Sequence, residues 1–209
     1  MDKHKEVIDI KSFKDRLAKG QSVENCVVHK QFTVETKALD EERRVIRFIA
    51  STGAVDRDHD TIDPNGWDTT DFRKNPVFLW CHDYSSVPLG KVINDFVQDG
   101  KLIEDVQFVD PKELYPDMDF KDMPEWVKFA DNIYRMYKAG YMNAVSVGFE
   151  PVEYNYDERT GGVNFKKQKQ LELSGVPVPA NQEALRVAGM QGIDTKTLKS
   201  WGLNTVKSL

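Results

Sequence analysis

Tyr141-Met142-Asn143-Ala144-Val145-Ser146-Val147-Gly148-Phe149 is the stretch on which the reading of this chain turns. Val145, Val147 and Phe149 alternate with Ala144, Ser146 and Gly148, and that period of two predicts a β-strand. One face is bulky and apolar, and the other carries a hydroxyl beside a residue with no side chain. Glycine inside a strand weakens it and marks places where a ligand or another chain segment comes close. Ser146 therefore has open space next to its oxygen. The plainer reading is a half-buried strand whose serine bonds to a neighbour.

Downstream, the strand continues through Glu150-Pro151-Val152-Glu153-Tyr154, turns near Arg159-Thr160-Gly161-Gly162, and returns to Leu171-Glu172-Leu173-Ser174. On the returning arm Leu171 and Leu173 face one way, and Glu172 and Ser174 the other. Short helices are predicted over 182–188 and around 194–201. Upstream, Pro124 opens a helix whose Trp126, Val127, Ala130, Ile133, Tyr134 and Tyr137 recur at helical spacing, with Gly140 as its stop. The aspartate-rich segment 110–123 is a loop long enough either to line a site or to move. Asp99-Gly100 predicts a tight hairpin turn between arms at 91–97 and 102–109.

Residues 77–82 read as a buried strand with Phe78, Trp80 and His82 on one face and Val77, Leu79 and Cys81 on the other. Adjacent strand residues point apart, which argues against a Cys81–His82 dyad. A short helix is expected from Trp67 to Asn75. Before it, Asp56-Arg57-Asp58-His59-Asp60-Thr61-Ile62-Asp63 holds four Asp and one His in eight residues. A metal-dependent hydrolase built on Asp58, His59 and Asp60 is one reading, but the spacing fits neither a calcium loop nor a zinc helix. Residues 23–54 are expected to form an antiparallel strand pair, and 5–19 a helix. Many short strands with turn signals suggest a β-barrel or sandwich with peripheral helices.

With 209 residues the chain holds one domain, or one domain with tails. A net charge of −5 provides no broad basic surface, so nucleic acid is not the expected partner. Two cysteines, Cys26 and Cys81, make neither a disulfide framework nor a zinc cluster, and a reducing compartment is expected. The N-terminus lacks an apolar signal core, and no run approaches a membrane span. The chain is expected to stay where it is made unless something packages it.

Nucleophilic serine catalysis needs a base for the hydroxyl proton and a third group to orient that base. His82, Ser146 and Glu172 supply the three residue types, each on a predicted strand. All four histidines, His4, His29, His59 and His82, precede Ser146. Ala144-Val145-Ser146-Val147-Gly148 differs by one residue from the G-x-S-x-G elbow of α/β-hydrolases. That elbow sits between strand and helix with its histidine last in the chain, which excludes the fold here.

Three segments then carry a resemblance when taken in order. They are Trp80-Cys81-His82-Asp83 with Pro88-Leu89-Gly90-Lys91-Val92, then Ser146-Val147-Gly148-Phe149, then Glu172-Leu173-Ser174-Gly175-Val176-Pro177-Val178-Pro179-Ala180-Asn181. Together with Val55 to Trp67, they resemble the tailed-phage prohead serine protease family over roughly residues 45–190. The resemblance implies an α+β, mainly β fold: an antiparallel barrel of about seven strands surrounded by helices, like the herpesvirus assemblins. It divides the chain into an N-terminal helix or tail (1–22), a protease domain (23–190) and a C-terminal helical tail (191–209).

It also implies a serine endopeptidase that cuts scaffold, the N-terminal segment of the major capsid protein, or itself. The setting is the host bacterial cytoplasm, inside the prohead. By motif Ser146 is the nucleophile, His82 the general base and Glu172 the orienting acid, with Asp83 as a competing carboxylate. No cofactor, metal, nucleic acid or membrane is implied, and a homodimer follows by analogy with assemblins. The chain shows no obvious scaffold extension after residue 190, so the scaffold is expected to be a separate polypeptide or part of the capsid protein. The alternative is a non-catalytic assembly or scaffold-binding domain that keeps the protease fold.

Overall fold

Alternation at 144–149 does make a strand, β10, and it runs over Ala144–Asp157. Its partner β11, Gly162–Val176, is the longest of the described strands and the spine of the sheet. The structure, a computed structural model, describes residues 6–33, 37–56 and 58–177, and the side chains of all but 30–33 and 37–39 among them. The helices expected at 182–188 and near 194–201 lie outside the described residues.

The chain first forms β1 (Glu6–Ile8) and helix α1 (Ile10–Ala18). Next come β2 (Cys26–Thr33), β3 (Lys37–Asp40) and β4 (Val45–Thr52), and then two-residue strands β5 (Thr61–Ile62) and β6 (Trp67–Asp68). They are followed by β7 (Val77–Trp80), β8 (Gly90–Gln98), β9 (Lys101–Phe108), the short helix α2 (Pro111–Leu114) and helix α3 (Glu125–Lys138). Along the sheet the order is β1-β2-β10-β11-β7-β8-β9-β4-β3, with β5 and β6 also paired to β11. The fold is therefore mainly β, as expected, and has few helices among the described residues.

Among the described residues, the strands do not close by pairing into the expected antiparallel barrel of about seven strands. The sheet is mixed, because β1 lies parallel to β2, and β5, β6 and β7 all run parallel to β11. Among the described residues it has eleven strands, and no ladder joins β1 and β3, the ends of its order. The physical reason lies in residues 23–54. An antiparallel pair does form there, between β3 and β4, but β2 joins β1 and β10 by its ladders and only approaches β4 without pairing with it, while β4 pairs with β3 and β9.

Two local differences have simple causes. Residues 6–8 extend as a strand before Asp9 caps α1 by accepting the Ser12 N–H at 2.8 Å. Residues 67–75 form a strand and a single 3-10 turn (Phe72–Lys74) rather than one helix, since Trp67 and Asp68 pair with Gln168 and Lys169. The hairpin at 91–109 forms as expected: Asp99 and Gly100 both have positive φ, 50° and 69°, the pattern that matches strand twist.

The core gathers Phe13, Phe48, Phe78, Phe108, Val145, Val147, Phe149, Phe165 and Leu173, all essentially inaccessible. Each such side chain contributes about 1.5–3 kcal/mol over its exposed state. Phe13 anchors α1 edge-on against Tyr154, and Lys14 pairs with buried Asp60 at 2.8 Å. α3 buries Val127, Ala130, Ile133, Tyr134 and Tyr137 on one stripe, and Gly140 (φ 79°) ends it. Tyr137 donates its hydroxyl to the carbonyl of Ala144, so α3 holds the start of β10.

Candidate active site

Four chain segments meet around Gly148. In β10, Ser146 stands opposite Ser174 of β11 and Gln31 of β2, while Gly148 stands opposite Glu172 and His29. Directly opposed residues share a face, with Cβ atoms about 4.5–5.5 Å apart. Ser146, Gly148, His29, Glu172 and Ser174 therefore lie on one side of the sheet, away from the core that Val145, Val147 and Phe149 fill.

A bulge makes this possible. The register passes from Gly148↔Glu172 to Phe149↔Gln170, leaving Leu171 as the extra residue. Gln170 thus falls on the core side with Phe149, although it is only two residues from Glu172. Bulges re-aim side chains in this manner and are common beside active sites.

His82 arrives differently from the expected strand alternation. β7 ends at Trp80, and Cys81 and His82 both adopt the left-handed region, with φ of 48° and 61°. Two such non-glycine residues cost on the order of 1–3 kcal/mol each. The turn is held by Cys81 N–H donating to the Gly175 carbonyl (3.0 Å), Asp83 N–H to Trp80 (2.9 Å), and His82 N–H to Ser174 Oγ (3.1 Å). It carries the imidazole over β11, where His82 Nδ1 lies 2.7 Å from Glu172 Oε1.

Glu172 is fully buried, and Ser174 donates its hydroxyl to the other carboxylate oxygen, Oε2. Ser174 thereby serves both partners, accepting from the His82 backbone and donating to Glu172. Gly148 supplies the space: a Cβ there would sit 2.3 Å from Glu172 Oε1. Asp83, the other carboxylate considered, is exposed and turned to Ser85, whose N–H and hydroxyl it accepts at 2.9 and 2.6 Å.

Two polar atoms on this face have no hydrogen-bond partner among the described residues: Ser146 Oγ and His82 Nε2, both buried. They do not bond to each other in this structure. Leaving such a group unpaired costs about 1–3 kcal/mol, so a donor and an acceptor orphaned together suggest a working site. Catalytic hydrogen bonds are often open before substrate arrives. Chemically, a carboxylate that fixes one imidazole nitrogen, a second nitrogen without a partner and an unbonded alcohol on the same side of the sheet are the groups that proton transfer from serine requires.

His29 and Ser174 join the expected trio. Ser174 is legible in retrospect as the strand neighbour two residues after Glu172. His29 has no local signature, since only the β2–β10 pairing brings it here. Its ring stacks on His82, with centroids 3.8 Å apart and planes 19° from parallel. Burial chiefly, and then the His82 ring, pushes the His29 pKa down to about 4.

Ligand atoms of His29, His82 and Glu172 lie within 4.8 Å of one another. Nearly parallel rings hold their nitrogen lone pairs side by side instead of converging, which is a poor arrangement for a tetrahedral ion. A second group, Asp56, Asp58 and Asp60, excludes His59. Asp56 there accepts the N–H groups of Asp58 (2.9 Å) and Asp60 (3.0 Å), and Lys14 already pairs with Asp60. That stretch works as a turn docked to β11, with Asp60 accepting the Val163 N–H at 2.7 Å.

Comparison with known proteins gives an independent line. A family model described as caudovirus prohead serine protease matches residues 32–197, which include His82, Ser146 and Glu172 but not His29. A capsid polyprotein of Pseudomonas phage PAJU2 is 32% identical over 174 residues, covering 83% of this chain and 24% of that one. A prohead protease of Escherichia phage T5 is 29% identical over 157 residues, 71% of this chain and 66% of its own. The chain thus spans only part of either relative's length. No solved structure matches.

Proposed function

This chain belongs to the caudovirus prohead serine protease family, and from that premise we propose that it is a capsid-maturation endopeptidase acting through Ser146, His82 and Glu172. The proposed protease unit spans 23–190, with α1 packed against it. The observation that carries the reading is the His82 Nδ1–Glu172 contact of 2.7 Å, which leaves Nε2 free on the face that bears an unbonded Ser146.

In the proposed mechanism Ser146 Oγ attacks a peptide carbonyl while its proton passes to His82 Nε2. The imidazolium so formed is stabilised by Glu172, held in turn by Ser174. His82 then protonates the leaving amine, an acyl-enzyme remains on Ser146, and water activated by the same imidazole releases it. Glu172 is the orienting acid in this scheme, because Asp83 is directed at Ser85.

The substrates proposed are capsid precursor and scaffold segments inside the prohead, in the host cytoplasm. Relatives named as a prohead protease and a capsid polyprotein support that class. Among the described residues, no helix is long and apolar enough to cross a membrane.

Cleavage of the capsid precursor by purified protein tests the proposal. Ser146→Ala is expected to reduce the rate by several orders of magnitude. Glu172→Gln should lose far more activity than Asp83→Asn. Undiminished processing by Ser146→Ala would overturn the reading.

A further inference from the structure

The proposed base has a neighbour on each side of its ring system. Its edge is fixed by Glu172, but a single contact at Nδ1 still allows the imidazole to swivel about that bond. The flat face of His82 is covered by His29 at 3.8 Å. One constraint lies in the ring plane and the other across it, and together they give Nε2 a single direction.

His29 is suited to this place by its own surroundings. It projects from β2 opposite Gly148, the one position in that part of β10 without a side chain to obstruct it. Its Nε2 lies 3.3 Å from the Tyr84 hydroxyl. Desolvation first, and the nearby Glu172 charge second, raise the Tyr84 pKa, so the phenol keeps its proton and can donate it. Nε2 of a neutral His29 then accepts, which places that ring's proton on Nδ1. A pKa of about 4 keeps His29 uncharged near neutral pH. An uncharged aromatic face can lie against His82 in either protonation state and favours the cation that forms during the reaction. A second cation there would oppose it.

We propose that His29 is a positioning residue for His82, stacking on the general base to hold Nε2 in its working direction. This inference rests on the protease reading above.

The test compares His29→Ala, His29→Phe and His29→Leu in the full chain, using capsid-precursor cleavage and thermal unfolding. His29→Ala and His29→Leu should each lower kcat about tenfold with KM nearly unchanged, because a misaimed base slows chemistry without weakening binding. His29→Phe, which restores a flat neutral face, should recover kcat to within about threefold of the parent. Phe and Leu fill similar space, so their comparison stands even where His29→Ala folds poorly.

A readout independent of turnover is the NMR spectrum of the His82 ring in a Ser146→Ala background. Its ring-current shift should persist with His29→Phe and vanish with His29→Leu. Equal kcat for Phe and Leu, or wild-type kcat for His29→Ala, would overturn the proposal. If Ser146→Ala is inactive while every His29 variant works normally, only this inference fails. If Ser146→Ala is fully active, the protease reading itself fails.

Discussion

Gly148 shows how much can depend on a missing side chain. The Glu172 carboxylate lies across it, pinned by His82 on one oxygen and Ser174 on the other, so it has little freedom to retreat. A Cβ 2.3 Å from Oε1 must displace that carboxylate or the strand beneath it. Gly148→Ala is therefore expected to lower kcat at least about tenfold while the protein still folds. Wild-type turnover in that variant would show that the carboxylate does not need its present position. At this scale the sequence was partly legible. The gap beside Ser146 could be read from period-two alternation, and the residue types at 82, 146 and 172 from the needs of serine chemistry. What fills the gap could not be read, because His29 and Glu172 reach Gly148 through pairings 119 and 24 residues distant in sequence.

Among the elements, β11 has the largest share of the architecture, and its bulge at Leu171 divides its polar side chains between two environments. Glu172 enters the site, whereas Gln170 turns to the core side and donates to Glu104 of β9 at 2.7 Å. Glu104 is fully buried, and desolvation raises its pKa from 4.5 to about 8. A raised carboxyl stabilises the fold fully below the unfolded value and loses that contribution as pH rises through the folded one. Stability should therefore decline between pH 4.5 and about 8, by up to about 1.4 kcal/mol per pH unit.

Glu104→Gln removes the titration. Urea unfolding at pH 5 and pH 8 should show a variant whose advantage over the parent grows with pH. Parallel curves for the two proteins would contradict this. Simple alternation along 168–174 could not foresee the arrangement, since a bulge leaves no mark in residue type. Likewise, the strand read over 77–82 stops two residues early because β11 and Ser174 draw Cys81 and His82 into a turn.

For the whole molecule, the mainly β character was legible in the many short alternating runs, and the hairpins at 99–100 and 159–162 in their turn residues. Sheet order was not. Nothing local in residues 26–33 says that β2 joins β10 rather than β4, and with that choice the described strands form a mixed sheet whose ladders do not close. Its consequence reaches the candidate site: the pairing of β2 with β10 is what brings His29 to His82. The fold thus converges β2, β10, β11 and the turn after β7 on one buried polar patch, and the account stands or falls with whether Ser146 is activated there.

Reaction of the purified full chain with a fluorophosphonate, followed by mass-spectrometric mapping, tests this most directly. The predicted result is a single phosphonyl adduct on Ser146 that is lost in His82→Ala. An unlabelled protein, an adduct on another serine, or undiminished labelling without His82 would contradict it.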